Sequence, residues 1–273
     1  MTTLTLPDGA TLWYEKTGSG APLLHIHGSA FGHRNFEKLT PWVARDFEVI
    51  DFDLPGYGDS HGGPKARGMA RDMAELADSV FEFIRCLGYE RVSIHGTSFG
   101  AMIAVMLAAR HPEVVDRLVL SCFLCRYDQA ARAMRATWKR AALDSGMEAV
   151  ADITSVAGFA RGFYDRPEAQ AQLAAMREAF SRTLPQAFIA GTESIERTDL
   201  SPLIPLIRSP TLLIAGAEDH MTPFRPADTG VGFAQIEKTI PGSSMVVLPD
   251  CGHYLVIEQP EQVAGLIAGF MKR

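Results

Sequence analysis

Apolar positions along this chain fall into two alternating textures. Short runs rich in β-branched and aromatic residues predict strands: "TTLTL", "TLWYEKTG", "PLLHIHG", "FEVIDFD", "RVSIHG", "VDRLVLS", "TLLIAG" and "SMVVLP". The first two are joined by "PDG", a turn signal, and predict a hairpin. Between the later strands lie runs with helical spacing. "ARDMAELADSVFEFIRCLGY" ends at Gly88, a second run from about Phe99 to Arg110 stops at His111-Pro112, and "EQVAGLIAGFMK" closes the chain. Strand–helix alternation of this kind predicts an α/β fold: a mostly parallel sheet with helices on both faces.

The texture changes from about Phe123 to Glu196. This stretch is rich in Ala, Arg and Met and contains no convincing strand. "DQAARAMRATWKRAALD", "GMEAVADITSVAGFA" and "EAQAQLAAMREAFSRTLPQAFIAG" each predict a helix. The expected organisation is a core over residues 1–122, a helical cap over 123–197, and the rest of the core over 198–273. No internal repeat or low-complexity segment interrupts it.

The gross numbers narrow the partners. A chain of 273 residues with 47% hydrophobic and 21% charged residues can build a sizeable core. Its net charge of −6 and lack of a basic block argue against nucleic acid. No apolar run reaches the roughly 18 residues of a membrane span, and the N-terminus does not read as a signal peptide. The expectation is a cytoplasmic monomer or homodimer that acts on a small molecule, with no metal or cofactor. Cys86, Cys122, Cys125 and Cys251 match no zinc spacing and read as reduced, buried thiols.

One motif carries chemistry. Gly96-Thr97-Ser98-Phe99-Gly100 joins a predicted strand to a predicted helix. With Gly near 7% of residues and Ser at a similar rate, the bare pattern occurs by chance in roughly one chain in ten of this size. The strand before and the helix after are what make it informative. A serine on such a turn is lifted to the carboxyl edge of the sheet, and small neighbours let the backbone pass closely. The helix that follows aims its N–H groups at the reaction centre. A serine needs a base, and the base needs an acid. Asp219 follows one predicted strand and His253 the next, giving the chain order Ser, Asp, His. Glu218 and Asp250 are the rival acids. Among the other histidines, His25, His27 and His95 read as structural, His111 as a helix end, and His33, His61 and His220 as loop residues. Asp53 and Asp59 in "DFDLPGYGDS" read as turn-setting residues rather than metal ligands.

The segments "HIHGSAFGHRNF", "DLPGYGDS", "GTSFG", "AGAEDHMTP" and "CGHYLVIEQPE" resemble those of the α/β-hydrolase fold family, in its serine hydrolase branch. The resemblance implies an oxyanion hole made by the backbone N–H groups of Phe99 and Ser29, with Ala30 the neighbour to which the second donor could slip. It also implies cleavage of an ester, lactone or amide through an acyl-enzyme on Ser98. Aspartate-nucleophile branches are disfavoured by that serine. Carbon–carbon hydrolases commonly carry Trp after the catalytic His, where this chain has Tyr254. A low-turnover ligand receptor on the same fold is the third possibility. The cap is expected to select the substrate, with Arg126, Trp138, Phe159, Arg161, Phe163, Tyr164 and Tyr254 as candidate pocket residues. An inward arginine there would select a carboxylate.

Overall fold

The hairpin forms as its turn predicts. In the computed structural model, which describes residues 2–60 and 72–272, β1 (Thr2–Thr5) and β2 (Thr11–Thr17) pair antiparallel with Leu4 opposite Leu12. Then follow β3 (Ala21–Ile26), a short helix α1 (Thr40–Val43) and β4 (Phe47–Phe52). The helix α2 (Met73–Cys86) starts where Asp72 and Glu75 cap each other's backbone N–H, at 2.9 and 3.0 Å. The first residues of this predicted helix, Ala70 and Arg71, lie outside the described residues, as does His61.

The strands β5 (Val92–Thr97) and β6 (Val115–Ser121) flank the helix α3 (Phe99–Arg110). Four helices then separate β6 from β7 (Thr211–Gly216): α4 (Gln129–Asp144), α5 (Met147–Gly158), α6 (Ala169–Ser181) and α7 (Pro185–Arg197). The sequence predicts three. The last predicted helix is broken at Leu184, which is extended at φ −65°, ψ 130°. Pro185 clashes with a helical residue before it but suits the first position of a new helix, so the break is local chemistry. The chain closes with α8 (Phe233–Ile236), β8 (Ser244–Leu248), α9 (Leu255–Glu258) and α10 (Pro260–Met271).

The eight strands form one sheet in the order β1-β2-β4-β3-β5-β6-β7-β8. Pairing is antiparallel through β1, β2 and β4 and parallel from β4 to β8. All residues of β5 and β7 are buried, as expected of strands covered on both faces. One core packs α2 and α3 against the sheet, and the other packs α1, α9 and α10 against the opposite face. A third apolar cluster fills the space under the four-helix insertion, around Trp138, Phe159, Phe163 and Phe180, and reaches Tyr254. The strand order reverses between β3 and β5, and the loops beyond their carboxyl ends open a crevice there.

Cys122, Cys125 and Cys251 are buried, as expected, but Cys86 is exposed. It falls on the solvent side of the last turn of α2, beside Arg85, while Phe83 and Ile84 face the core. Among the described residues no helix is long and apolar enough to cross a membrane.

Candidate active site

Ser98 sits on the turn between β5 and α3 with φ 54° and ψ −116°. That conformation costs a side-chain-bearing residue on the order of 1–3 kcal/mol. The surroundings hold it there. Its N–H donates to the Ser121 carbonyl at 2.8 Å, and its own carbonyl accepts from Ala101 and Met102. The flanking glycines are a packing requirement. A Cβ on Gly100 would collide with the carbonyl oxygens of Ile26 and His27, and one on Gly96 with the Gly100 backbone.

Three side chains distant in sequence meet at this turn. The Ser98 hydroxyl lies 2.9 Å from His253 Nε2, and His253 Nδ1 lies 2.9 Å from Asp219 Oδ2. All three residues are buried. Burial alone would raise the Asp219 carboxyl. The adjacent His253 ring and donors from Thr222 outweigh it and hold the group below the ordinary carboxylate range. Oδ1 accepts the backbone N–H groups of Met221 and Thr222 at 2.9 and 2.8 Å, and Oδ2 accepts the Thr222 hydroxyl at 2.7 Å. An acid fixed this way directs the Nδ1 proton of His253 toward itself and leaves Nε2 to accept from serine. The rival acids lie elsewhere: the Glu218 carboxylate accepts the Arg161 N–H, and Asp250 is exposed in a turn at φ 50°. Thr222 was not singled out by the sequence, although the spacing Asp-x-x-Thr after a strand signals a side-chain-capped turn.

The loop after β3 forms the facing wall. Gly28 gives its N–H to Asn35 Oδ1 at 2.7 Å, so the next backbone donor along the loop is that of Ser29. Phe99 is the first residue of α3, and its N–H has no acceptor within the helix. His25, His27 and His95 are structural. His25 Nδ1 meets Asp51, His95 Nε2 meets the Ser121 hydroxyl, and His27 bridges the Gly28 carbonyl and the Leu54 N–H. Asp53 accepts the backbone N–H groups of His33 and Asp59 as well as His33 Nδ1. It ties two loops together, and its oxygens are occupied by protein donors. Cys122, Asp219 and His253 also cluster closely enough to offer three ligand atoms. There the Asp219 oxygens are committed to Thr222, Met221 and His253, and burial pushes the Cys122 thiol up, which disfavours the thiolate a metal needs.

A pocket of about 470 Å³, counting its opening to solvent, covers Ser98 and His253. Of the expected pocket residues, Trp138 and Tyr254 line it. The others do not. Arg126 is half-exposed because its backbone bridges to Val231 and its side chain turns to the Thr229 carbonyl and Asp199. Arg161 and Tyr164 are on the solvent side of a short helical turn. Phe159 and Phe163 are buried and stacked at 3.9 Å, and Phe159 supports the Tyr254 ring from behind at 4.8 Å. Pocket residues the sequence did not mark include Arg135, Thr154, Phe180, Phe188 and Met221. Arg135 lies three residues before Trp138, hence on the same face of α4, and that spacing was the available signal.

A model of the alpha/beta hydrolase fold matches residues 21–260. The chain belongs to that family. Within the alpha/beta hydrolases, a pimeloyl-[acyl-carrier protein] methyl ester esterase from Nitrosomonas europaea is 30% identical over 268 residues, spanning 93% of this chain and 96% of the relative. A 2-hydroxymuconate semialdehyde hydrolase from Pseudomonas sp. strain CF600 is 29% identical over 271 residues, spanning 93% of this chain and 88% of its own. The crystal structure of an enol-lactonase from Burkholderia xenovorans LB400 superposes with a TM-score of 0.87 at 23% identity, covering both chains completely, which speaks for the fold.

In this alpha/beta hydrolase the insertion is fastened to the histidine loop. The His253 N–H donates to the Gly158 carbonyl at 2.6 Å. The buried Glu258 carboxyl accepts the N–H of Ala160 with one oxygen and that of Gly252 with the other, each at 3.0 Å. Gly158 and Gly252 allow this approach, since a Cβ on either would overlap the opposite segment. Burial pushes the Glu258 carboxyl up to about 7 despite its two backbone donors. A raised carboxyl binds its proton more tightly in the folded chain than in the unfolded one. Its contribution to stability is therefore full below about pH 4.5 and is lost as pH rises through 7. Thermal melts from pH 4.5 to 8 test this. The difference in melting temperature between the native chain and Glu258→Gln should shrink or reverse as pH rises, because the amide does not ionise. A difference independent of pH would refute the assignment.

Proposed function

We infer that this protein is a serine hydrolase that cleaves a small-molecule ester, lactone or amide through an acyl-enzyme on Ser98. The observation that carries the reading is the continuous hydrogen-bonded chain from Ser98 through His253 to Asp219, placed under a pocket. His253 Nε2 takes the hydroxyl proton as Ser98 Oγ attacks the carbonyl carbon. The oxyanion that forms is received by the N–H groups of Phe99 and Ser29, each worth about 3 kcal/mol in the transition state. Collapse expels the alcohol or amine, which leaves with the proton held by His253. Water, deprotonated by the same ring, then attacks the acyl-enzyme, and the carboxylic acid departs with Ser98 restored. Asp219 fixes the imidazole tautomer and stabilises the imidazolium in both steps. The four-helix insertion acts as the cap that shapes the substrate site.

A second reading has its own support. The relative named as a 2-hydroxymuconate semialdehyde hydrolase is nearly as similar to this chain as the one named as a methyl ester esterase. Tyr254, beside His253 and lining the pocket, stands where carbon–carbon hydrolases commonly place Trp, and so favours the ester reading. The two are separated by products, since only one breaks a carbon–carbon bond. Sustained turnover of p-nitrophenyl acetate into acetate and p-nitrophenolate is the expected result. One equivalent of p-nitrophenolate with no turnover afterwards would instead mark a ligand receptor.

A further inference from the structure

The pocket over Ser98 contains an unused cation. Arg135 lies on α4, is 3% exposed, and lines the pocket together with Ser98 and His253. Its Nη2 donates to the Tyr127 hydroxyl at 2.8 Å, while Nε and Nη1 have no partner among the described residues. The guanidinium is steadied by the rings of Tyr127 and Trp138, whose centroids lie 4.8 and 5.2 Å from it. Neither ring carries a compensating negative charge. Among the described residues no aspartate or glutamate lines this pocket. Several other arginines differ: Arg126, Arg177 and Arg182 each face a carboxylate at the surface.

A buried guanidinium with unpaired donors is costly unless an anion meets it. Among the described residues nothing supplies that anion, and the pocket Arg135 lines is the one over Ser98. The Ser29 hydroxyl, also buried without a partner among the described residues and also lining the pocket, adds a neutral donor to the same chamber. We propose that Arg135 binds a carboxylate on the substrate, so that the ester or lactone cleaved at Ser98 carries a free acid group at its far end. The substrate class is thus a half-ester of a short dicarboxylic acid, or a lactone bearing a carboxylate. This rests on the serine hydrolase reading for the bond that is cleaved, but the carboxylate contact itself is a binding claim. The guanidinium fork selects a planar carboxylate over an uncharged ester because only the former accepts two charge-assisted hydrogen bonds.

Binding is therefore measured in the Ser98→Ala chain, where turnover cannot intervene. Titration calorimetry compares monomethyl succinate, glutarate and adipate with their dimethyl esters. At the best chain length the monoester should bind roughly 10- to 100-fold more tightly than the diester. Adding Arg135→Gln should bring that ratio close to one, and adding Arg135→Lys should leave it in between, since charge is kept and the fork is lost. Circular dichroism checks that each variant is folded. Equal affinity for monoesters and diesters with Arg135 in place would overturn the proposal, as would a monoester preference that survives Arg135→Gln. Should Arg135→Gln not fold, the ratio in the Ser98→Ala chain and its change in Arg135→Lys still decide. Failure of the serine hydrolase reading would show elsewhere, as absent turnover by the native chain, with the binding ratio intact.

Discussion

Ser98→Ala is expected to lower kcat for p-nitrophenyl acetate by about 10⁴- to 10⁶-fold while the chain stays folded. The two halves of this expectation have separate causes. In the proposed mechanism catalysis is lost because the hydroxyl oxygen is the atom that would form the acyl bond, and His253 Nε2, 2.9 Å away, then has no nucleophile to deprotonate. The fold is kept because the turn is held by the backbone. The Ser98 N–H bond to Ser121, the bonds from Ala101 and Met102 to the Ser98 carbonyl, and the contacts around Gly100 do not involve the side-chain oxygen. The strain at φ 54° also remains unchanged, because alanine keeps the Cβ that causes it. Steady-state kinetics with a thermal melt measure both. Retention of more than a tenth of the native rate would remove Ser98 from the mechanism.

The second large effect is expected at Asp219→Asn, which should reduce kcat about 10⁴-fold. The substitution keeps size and shape, so packing is not the cause; what changes is the capacity to accept hydrogen bonds. As a carboxylate, Asp219 accepts from Thr222, Met221 and His253 at once, through four contacts. An asparagine has one accepting oxygen. The two backbone N–H groups of Met221 and Thr222 claim that oxygen, which turns the amide NH₂ toward His253 Nδ1 and the Thr222 hydroxyl. The imidazole is then driven to carry its proton on Nε2, facing Ser98, where it cannot accept another. Thr222 Oγ1 lies 3.1 Å from His253 Nδ1 and provides an alternative acceptor, which keeps the residual rate above zero. The imidazole proton resonances and kcat report tautomer and rate together. A native rate in Asp219→Asn would show that the acid does not set the tautomer.

The elements that announced themselves in the sequence share one property: their signals are local. The strands of the sheet are short apolar runs, α2 is bounded by Asp72, Glu75 and Gly88, and the serine turn needs small residues at 96 and 100 for contacts that any close-packed strand–helix turn would make. Asp219 and His253 could be picked because each follows a strand, and parallel strands bring their carboxyl ends to one edge. The pocket was harder. Which face of an insertion helix looks inward depends on how the whole helix docks, and that is decided by contacts such as those of Gly158 with Tyr254 and Glu258 with Ala160. Residue type alone marks Arg126 and Arg161, and their backbone bonds to Val231 and Glu218 turn both outward. Arg135, on a face shared with Trp138, is the arginine that looks in. The break before Pro185 was visible in the sequence, but the alanine-rich periodicity on either side masked it.

The most direct test of the central claim, that Ser98 forms the covalent intermediate, is active-site labelling with a fluorophosphonate followed by peptide mapping. The phosphorus is attacked by the serine oxygen and fluoride leaves, so the adduct marks the nucleophile itself. One adduct per chain is expected, on the peptide containing His95 to Ala101 and at Ser98, with none in Ser98→Ala. An adduct on another residue, or labelling that persists in Ser98→Ala, would contradict it.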